Sequence, residues 1–371
     1  MPIKITSLLM GLFILSLVSL HCANASTVDD LYDAKIAVTD QSDRTQNQAF
    51  AKALKQVLLK VRGSSDLLAA PNIKSVVTKA RRFVRSYRYD REGAQLFVVI
   101  NFDPKRIDDL IRSAGFPIWD KRRPDTLVWL AIQPTKDENK QIANATEFSE
   151  IYQQLTKRAQ ERGIKLIFPL WDLNDLQRLG VYDIWGGFSS QISQASERYG
   201  VQSVLSARIY PSNNLLQDTA VDSAQPEMNS SEFWVADWNT MESGSMLAGE
   251  VQGNSRLDVA NSLVDTLADQ LAQKYAIDLS QGVNNDAKVK LVINNIDSLT
   301  YYKQALELLE NLSVVSSVTL IKQRGIDATF ELQLLGDVED LVNALNLDKK
   351  IRPVVDDFGQ PIGELQFFWV K

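Results

Sequence analysis

Thr126-Leu127-Val128-Trp129-Leu130-Ala131-Ile132 is a nearly unbroken apolar run, as expected of a strand buried on both faces and not of one that alternates between core and water. What flanks it repeats a rhythm. Phe148 to Arg162 is an amphipathic helix stopped by Gly163, and Lys165 to Leu170 is a second strand. Phe188 to Tyr199 is a further helix, leading through Gly200 into a strand at Val201 to Ile209. Strand, helix, strand, helix, strand predicts a largely parallel sheet covered by helices. Residues 211 to 231 are rich in Ser, Asn, Asp and Gln and read as a loop. An edge hairpin of Phe233 to Trp238 with Leu247 to Val251 follows. Arg256 to Tyr275, with Leu257, Ala260, Leu263, Val264, Leu267 and Leu271 on one face, closes this middle unit of about residues 125–280.

Two further units flank it. Residues 27–119 contain an alternating strand at Ala34 to Val38 and a helix that Asp43 caps and Gly63 stops. A short helix opened by Pro71, a hairpin of Phe83 to Tyr89 with Leu96 to Phe102, and a helix from Pro104 to Ser113 complete an α+β domain. Lys121-Arg122-Arg123-Pro124 reads as the linker after it. Residues 287–371, beyond a linker at 280–285, read as strand, helix, hairpin (Val314 to Ile321 with Ala328 to Leu335), helix (Val338 to Leu345) and a last strand, Leu365 to Val370. That βαββαβ order predicts a ferredoxin-like sandwich. The expected fold is α/β (α+β) in three small domains: N-terminal α+β, a middle mixed sheet with helices on its faces, and the C-terminal ferredoxin-like unit.

Residues 1–25 have the pattern of a secretion signal peptide. Lys4 is the positive start, Leu8 to Leu20 the apolar stretch, and Ala23-Asn24-Ala25 supplies small residues before a cut at Ser26. His21 and Cys22, the only histidine and cysteine in 371 residues, lie inside it. A cleaved leader leaves a chain with neither imidazole nor thiol. The expectation is then no Ser/His/Asp or Cys/His nucleophile, no His- or Cys-ligated metal, no cofactor held that way and no disulfide. No later stretch is apolar and long enough to span a bilayer, so a periplasmic protein with no transmembrane segment after cleavage is expected. With 40 Lys+Arg against 46 Asp+Glu, net repulsion works against nucleic acid and anionic lipid alike. The basic run Lys79, Arg81, Arg82, Arg85, Arg88 and Arg91 divides between the two faces of a strand, as a solvated surface would and a nucleic-acid strip would not.

The distinctive residues lie in the middle unit: Pro169-Leu170-Trp171-Asp172-Leu173, then Gly180 to Phe188 (GVYDIWGGF), then Ala195-Ser196-Glu197-Arg198-Tyr199-Gly200. The segment leaves the carboxyl end of a strand, where open α/β sheets bind ligands. Trp171, Asp172, Asp183, Trp185, Gly186 and Gly187 are the candidate ligand or partner residues: rings as flat walls for a sugar or peptide, carboxylates as acceptors, glycines for close approach. The same residues also fit a purely architectural reading, with Gly186-Gly187 as a tight turn, Trp185 as a core plug and Asp183 as a helix cap. On these motifs, Asp183 to Phe188 above all, the chain resembles domain of unknown function family 2066, exported gammaproteobacterial proteins. The resemblance implies an envelope location and a multi-domain α/β build, and brings no activity.

With no phosphate loop, no GxGxxG and no Ser-x-x-Lys, only a carboxylate pair, Asp172 with Asp183 or with Asp175, is left for catalysis. The sequence therefore points to an exported, non-enzymatic binding or assembly protein of the cell envelope, with an envelope protein or a peptide or glycan as partner. The alternative is a glycan- or peptide-processing enzyme built on that carboxylate pair.

Overall fold

The computed structural model describes residues 28, 30–212, 233–242, 245–278 and 288–371. The leader with His21 and Cys22, the polar stretch beyond Ser212 and the linker at 280–285 lie outside the described residues. Ten α-helices and three sheets are present among the described ones, a mixed α+β architecture with a separate apolar cluster against each sheet. None of these helices is long and apolar enough to cross a membrane.

The first sheet has the antiparallel order β1 (Asp33–Val38), β3 (Gln95–Phe102), β2 (Val84–Glu92). Against it lie α1 (Asp43–Arg62), α2 (Pro71–Val77) and α3 (Pro104–Ser113). Phe50, Leu54, Val57, Leu58 and Val61 recur on one face of α1 and are buried against Ile36, Val98 and Ile100. The cap of α1 is Ser42, whose side chain accepts from the Thr45 N–H, and not Asp43, which is the first helical residue. A serine hydroxyl in extended backbone reaches that amide, while Asp43 one residue later adds its charge to the helix's positive end.

In the middle sheet β4 (Asp125–Ile132) is buried along its whole length. It is parallel to β6 (Lys165–Ile167) and β7 (Ser203–Ser212), and its other end pairs with the short β5 (Gln141–Ile142). Beyond β7 the sheet turns antiparallel through β8 (Phe233–Glu242) and β9 (Ser245–Gly253). Parallel pairing is thus confined to three strands. Two long helices, α4 (Ser149–Arg162) and α8 (Arg256–Tyr275), pack on one face. Two short helices that were not expected, α5 (Leu173–Arg178) and α6 (Val181–Gly186), precede α7 (Ser189–Ser196), which is the helix expected from Phe188 to Tyr199 and is continued by a 3-10 turn to Tyr199.

The third sheet keeps the split βαβ frame and adds to it. Its order is β11 (Val315–Arg324), β12 (Asp327–Leu334), β10 (Lys288–Asn294), β14 (Gln366–Trp369), β13 (Ile351–Pro353), with α9 (Leu299–Glu310) and α10 (Val338–Asn346) as the crossovers. The fourth ferredoxin position belongs to the short β13, and the final strand β14 inserts between it and β10, parallel to β10. Phe367 and Trp369 face the core, so insertion buries two large rings.

The expected linker at 121–124 is a buried joint. Arg123, 2% exposed, donates from Nη1 to the carbonyls of Arg162 and Gly163, from Nη2 to those of Lys60 and Trp119, and from Nε to that of Asp120. Two helix C-termini, those of α1 and α4, therefore converge on one guanidinium, which lies 3.9 Å from the Trp119 ring centroid. Unsatisfied carbonyls at helix ends attract cations, and the planar fork reaches several at once. Burial pushes its pKa down to about 9, still well above neutral pH.

Candidate functional site

Helices α6 and α7 give the middle sheet a second, smaller apolar layer: Ile184, Ile192 and Ala195 pack on Leu127, Trp129, Ala131 and Val204 of β4 and β7. These helices are short, and the layer ends at β7. The same face of β8 and β9 has no helix over it among the described residues, which leaves a polar row of strand side chains facing a groove.

The sequence-predicted residues fall into two groups. Trp171 and Asp172 belong to a closed cluster at the end of β6. Trp171 has φ 52, a left-handed conformation that costs a bulky residue free energy. Its ring packs edge-on against Trp129 at 5.0 Å, and its backbone N–H donates to Asp175 Oδ2 at 2.9 Å. Asp175, fully buried, also receives the Tyr199 hydroxyl (2.5 Å) and Arg198 Nη1 (2.9 Å). Arg198 in turn grips Asp172 with two parallel bonds of 2.7 and 2.8 Å, while Asp172 caps α5 by accepting from the Asp175 N–H. The hydrogen bonds from Arg198 hold the Asp172 carboxyl well below the usual carboxylate range. One guanidinium thus bridges both members of the Asp172/Asp175 pair, and an acid held so far down cannot store a proton for general-acid work near neutral pH.

Asp183 has a capping role of its own, at the start of α6 and not at the helix after it. Its Oδ2 accepts the Gly180 N–H at 2.7 Å. Trp185, Gly186 and Gly187 do line the groove. Gly187 ends α6 at φ +65, and a Cβ there would stand 3.1 Å from Asn239 Nδ2. A Cβ on Gly186 would stand 2.9 Å from the Phe188 ring. Glycine at both positions lets the turn lie flat on the sheet. The Trp185 ring is half-buried, beside Tyr210 with centroids 5.8 Å apart and under Lys140 Nζ at 4.5 Å.

The groove floor comes from residues that periodicity does not single out. Arg208 donates from Nη1 to the Trp185 carbonyl (2.6 Å) and from Nε to Asp237 Oδ2 (2.8 Å), which also accepts the Tyr210 hydroxyl (3.0 Å). Next along the strands, Ser206 faces Asn239 in the β7–β8 register. Ser206 is 1% exposed, and its Oγ and Asn239 Oδ1 have no hydrogen-bond partner among the described residues. The groove measures about 380 Å³, in the size range of small-ligand sites. A second groove of about 460 Å³, lined by Ser189, Ser190, Ser193 and Ser196 of α7, adjoins it at Met246. No group of acidic side chains among the described residues has the arrangement of a metal site.

Burial raises two tyrosines of this region, Tyr199 with help from its bond to Asp175 and Tyr210 with help from Asp237, each to about 12. A folded-state phenol pKa above the unfolded value of about 10 means that the native state holds its proton longer than the unfolded chain does. Stability is therefore unaffected below about pH 10 and falls between about pH 10 and 12. Urea midpoints taken across that interval should decline, and Tyr199→Phe with Tyr210→Phe should flatten the decline.

A family model described as a domain of unknown function (DUF8605) matches residues 25–120. That stretch is the first sheet with its helices. No curated protein matches the chain. The groove on the middle sheet thus lies outside the matched stretch, and its chemistry has to be read from its own residues.

Proposed function

We propose that the protein is an exported, non-enzymatic binding or accessory protein of the bacterial cell envelope, and that it engages its partner through the groove on β7, β8 and β9. The observation that carries the reading is that two of the middle sheet's several unpartnered polar atoms among the described residues, Ser206 Oγ and Asn239 Oδ1, lie opposite each other in the lining of one groove. Buried polar groups without partners are costly, and a site that keeps them is suited to a molecule that supplies the missing bonds. The leader pattern, and the resemblance to the exported gammaproteobacterial family 2066 on Asp183 to Phe188, support the periplasmic location. The committed geometry of Asp172, Asp175 and Asp183 favours binding over a carboxylate-pair enzyme.

A photo-crosslinking residue at Met246, which is 58% exposed at the lip shared by both grooves, tests this in cells. The expected result is a processed chain in the periplasmic fraction, crosslinked to an envelope protein or glycan. Recovery of the unprocessed chain from the cytosol overturns the location, and a crosslink pattern no different from that of a probe at Gly93, far from the groove, overturns the site. Asp172→Asn should leave the crosslinks unchanged.

A further inference from the structure

The groove that the binding reading uses has a donor and acceptor pattern of its own, and the inference drawn from it rests on that reading. Besides Ser206 Oγ and Asn239 Oδ1, Asp237 Oδ1 and Arg208 Nη2 take no part in the bonds these two side chains make among the described residues, which run through Asp237 Oδ2 and Arg208 Nε and Nη1. Register places these groups in two adjacent rows: Arg208 opposite Asp237, then Ser206 opposite Asn239. Acceptors, a donor and a hydroxyl thus lie close together on a flat sheet.

The charges cancel. Arg208 and Asp237 are paired at 2.8 Å, so the floor selects neither a polyanion nor a polycation. A ligand that satisfies this set must donate to the two Oδ1 atoms and accept from Nη2, and a hydroxyl group does both at one atom. Trp185 supplies an apolar wall, suited to the C–H faces of a ring. Gly186-Gly187 keep the side of the groove next to Trp185 low. The adjoining groove continues with Ser189, Ser190 and Ser193 of α7 and Gln202, beside Glu197 and Glu242, while the Ser196 hydroxyl is spent on Trp129 and the Ile192 carbonyl; this extends the polar path past one ligand unit. A peptide needs different surfaces: a free strand edge for its backbone and apolar pockets for alternate side chains. The unpartnered groups of the groove lie on the sheet's face, on β7 and β8, and not along the free edge of β9.

We infer that this groove binds a neutral saccharide chain, one ring over the Arg208–Asp237 and Ser206–Asn239 rows and the next toward the α7 serines. The full-length mature protein is titrated calorimetrically with the linear tetramers of N-acetylglucosamine, α-1,4-glucose and β-1,3-glucose, and with tetra-alanine. At least one saccharide is expected to bind. Ser206→Ala is expected to weaken it about ten-fold, the loss of one hydrogen bond. Because that hydroxyl has no partner among the described residues, the same variant should melt at or above the wild-type temperature, a combination that a merely structural serine does not give. Asn239→Leu should abolish binding. Absence of binding by all three saccharides, or binding that Ser206→Ala and Asn239→Leu leave intact, overturns the inference. Binding of tetra-alanine with the same sensitivity to Ser206→Ala overturns the saccharide class and leaves the groove as a binding site. Only the loss of groove-specific crosslinks at Met246 removes the binding reading itself.

Discussion

Gly63→Ala is expected to destabilise the protein by about 2–5 kcal/mol. Two independent costs meet at this residue. Gly63 ends α1 at φ +81, where a side chain costs about 1–2 kcal/mol. Its Cβ would also fall on the Ala272 methyl of α8 and 2.6 Å from the Trp119 ring, and overpacking of that kind costs about 1–3 kcal/mol. Neither neighbour has room to move: Trp119 is fully buried, and α8 packs on the middle sheet beside α4. Gly93→Ala separates the two costs. It has φ +59 with open space around it, so it should show the conformational cost alone. Guanidinium denaturation of both variants gives the comparison, and equal losses would mean that α1 does not pack against α8 as described.

Arg123→Met should cost about 3–5 kcal/mol, because it strips donors from five carbonyls at a point that water does not reach. Methionine preserves much of the bulk against Trp119, so the loss reports the hydrogen bonds and charge more than the volume. Arg123→Lys keeps the charge and loses the fork, and should fall between wild type and Arg123→Met. The damage should appear first as separation of the leading unit from the middle one, since Arg123 joins the end of α1 to the end of α4. Neighbouring Arg162 makes the same connection by another route, donating to the Gly63 carbonyl as well as to Asp265 and Asp269 of α8. Limited proteolysis between residues 114 and 124 should therefore accelerate in Arg123→Met while the isolated leading unit stays resistant. Unchanged cleavage rates would show that the joint is held by something other than this guanidinium.

The polar face of the middle sheet and this joint differ in how far sequence could foresee them. Trp185, Gly186 and Gly187 stood out as residues of unusual type at close spacing, and they do line the groove. Asp172 and Asp183 stood out for the same reason, yet each is spent on a helix start, because a carboxylate two or three residues from an exposed N–H finds it before any ligand does. Ser206, Arg208, Asp237 and Asn239 carried no signal. In sequence they are ordinary strand residues with more than twenty positions between the two pairs. Arg123 was read as part of a solvated linker because three consecutive basic residues before a proline look like one.

What the sequence determined alone is whatever a period or a local cap dictates: the buried β4 and the helices ended by Gly63 and Gly163. What only the tertiary structure decided depends on partners far apart in the chain. The β7–β8 register placed four polar side chains side by side. The insertion of β14 beside β10 turned a four-stranded frame into five strands, and the convergence of two helix ends made a charged residue a core residue. Periodicity records which face of an element is apolar, but it holds no information about which distant backbone carbonyl or carboxylate will lie opposite a given side chain.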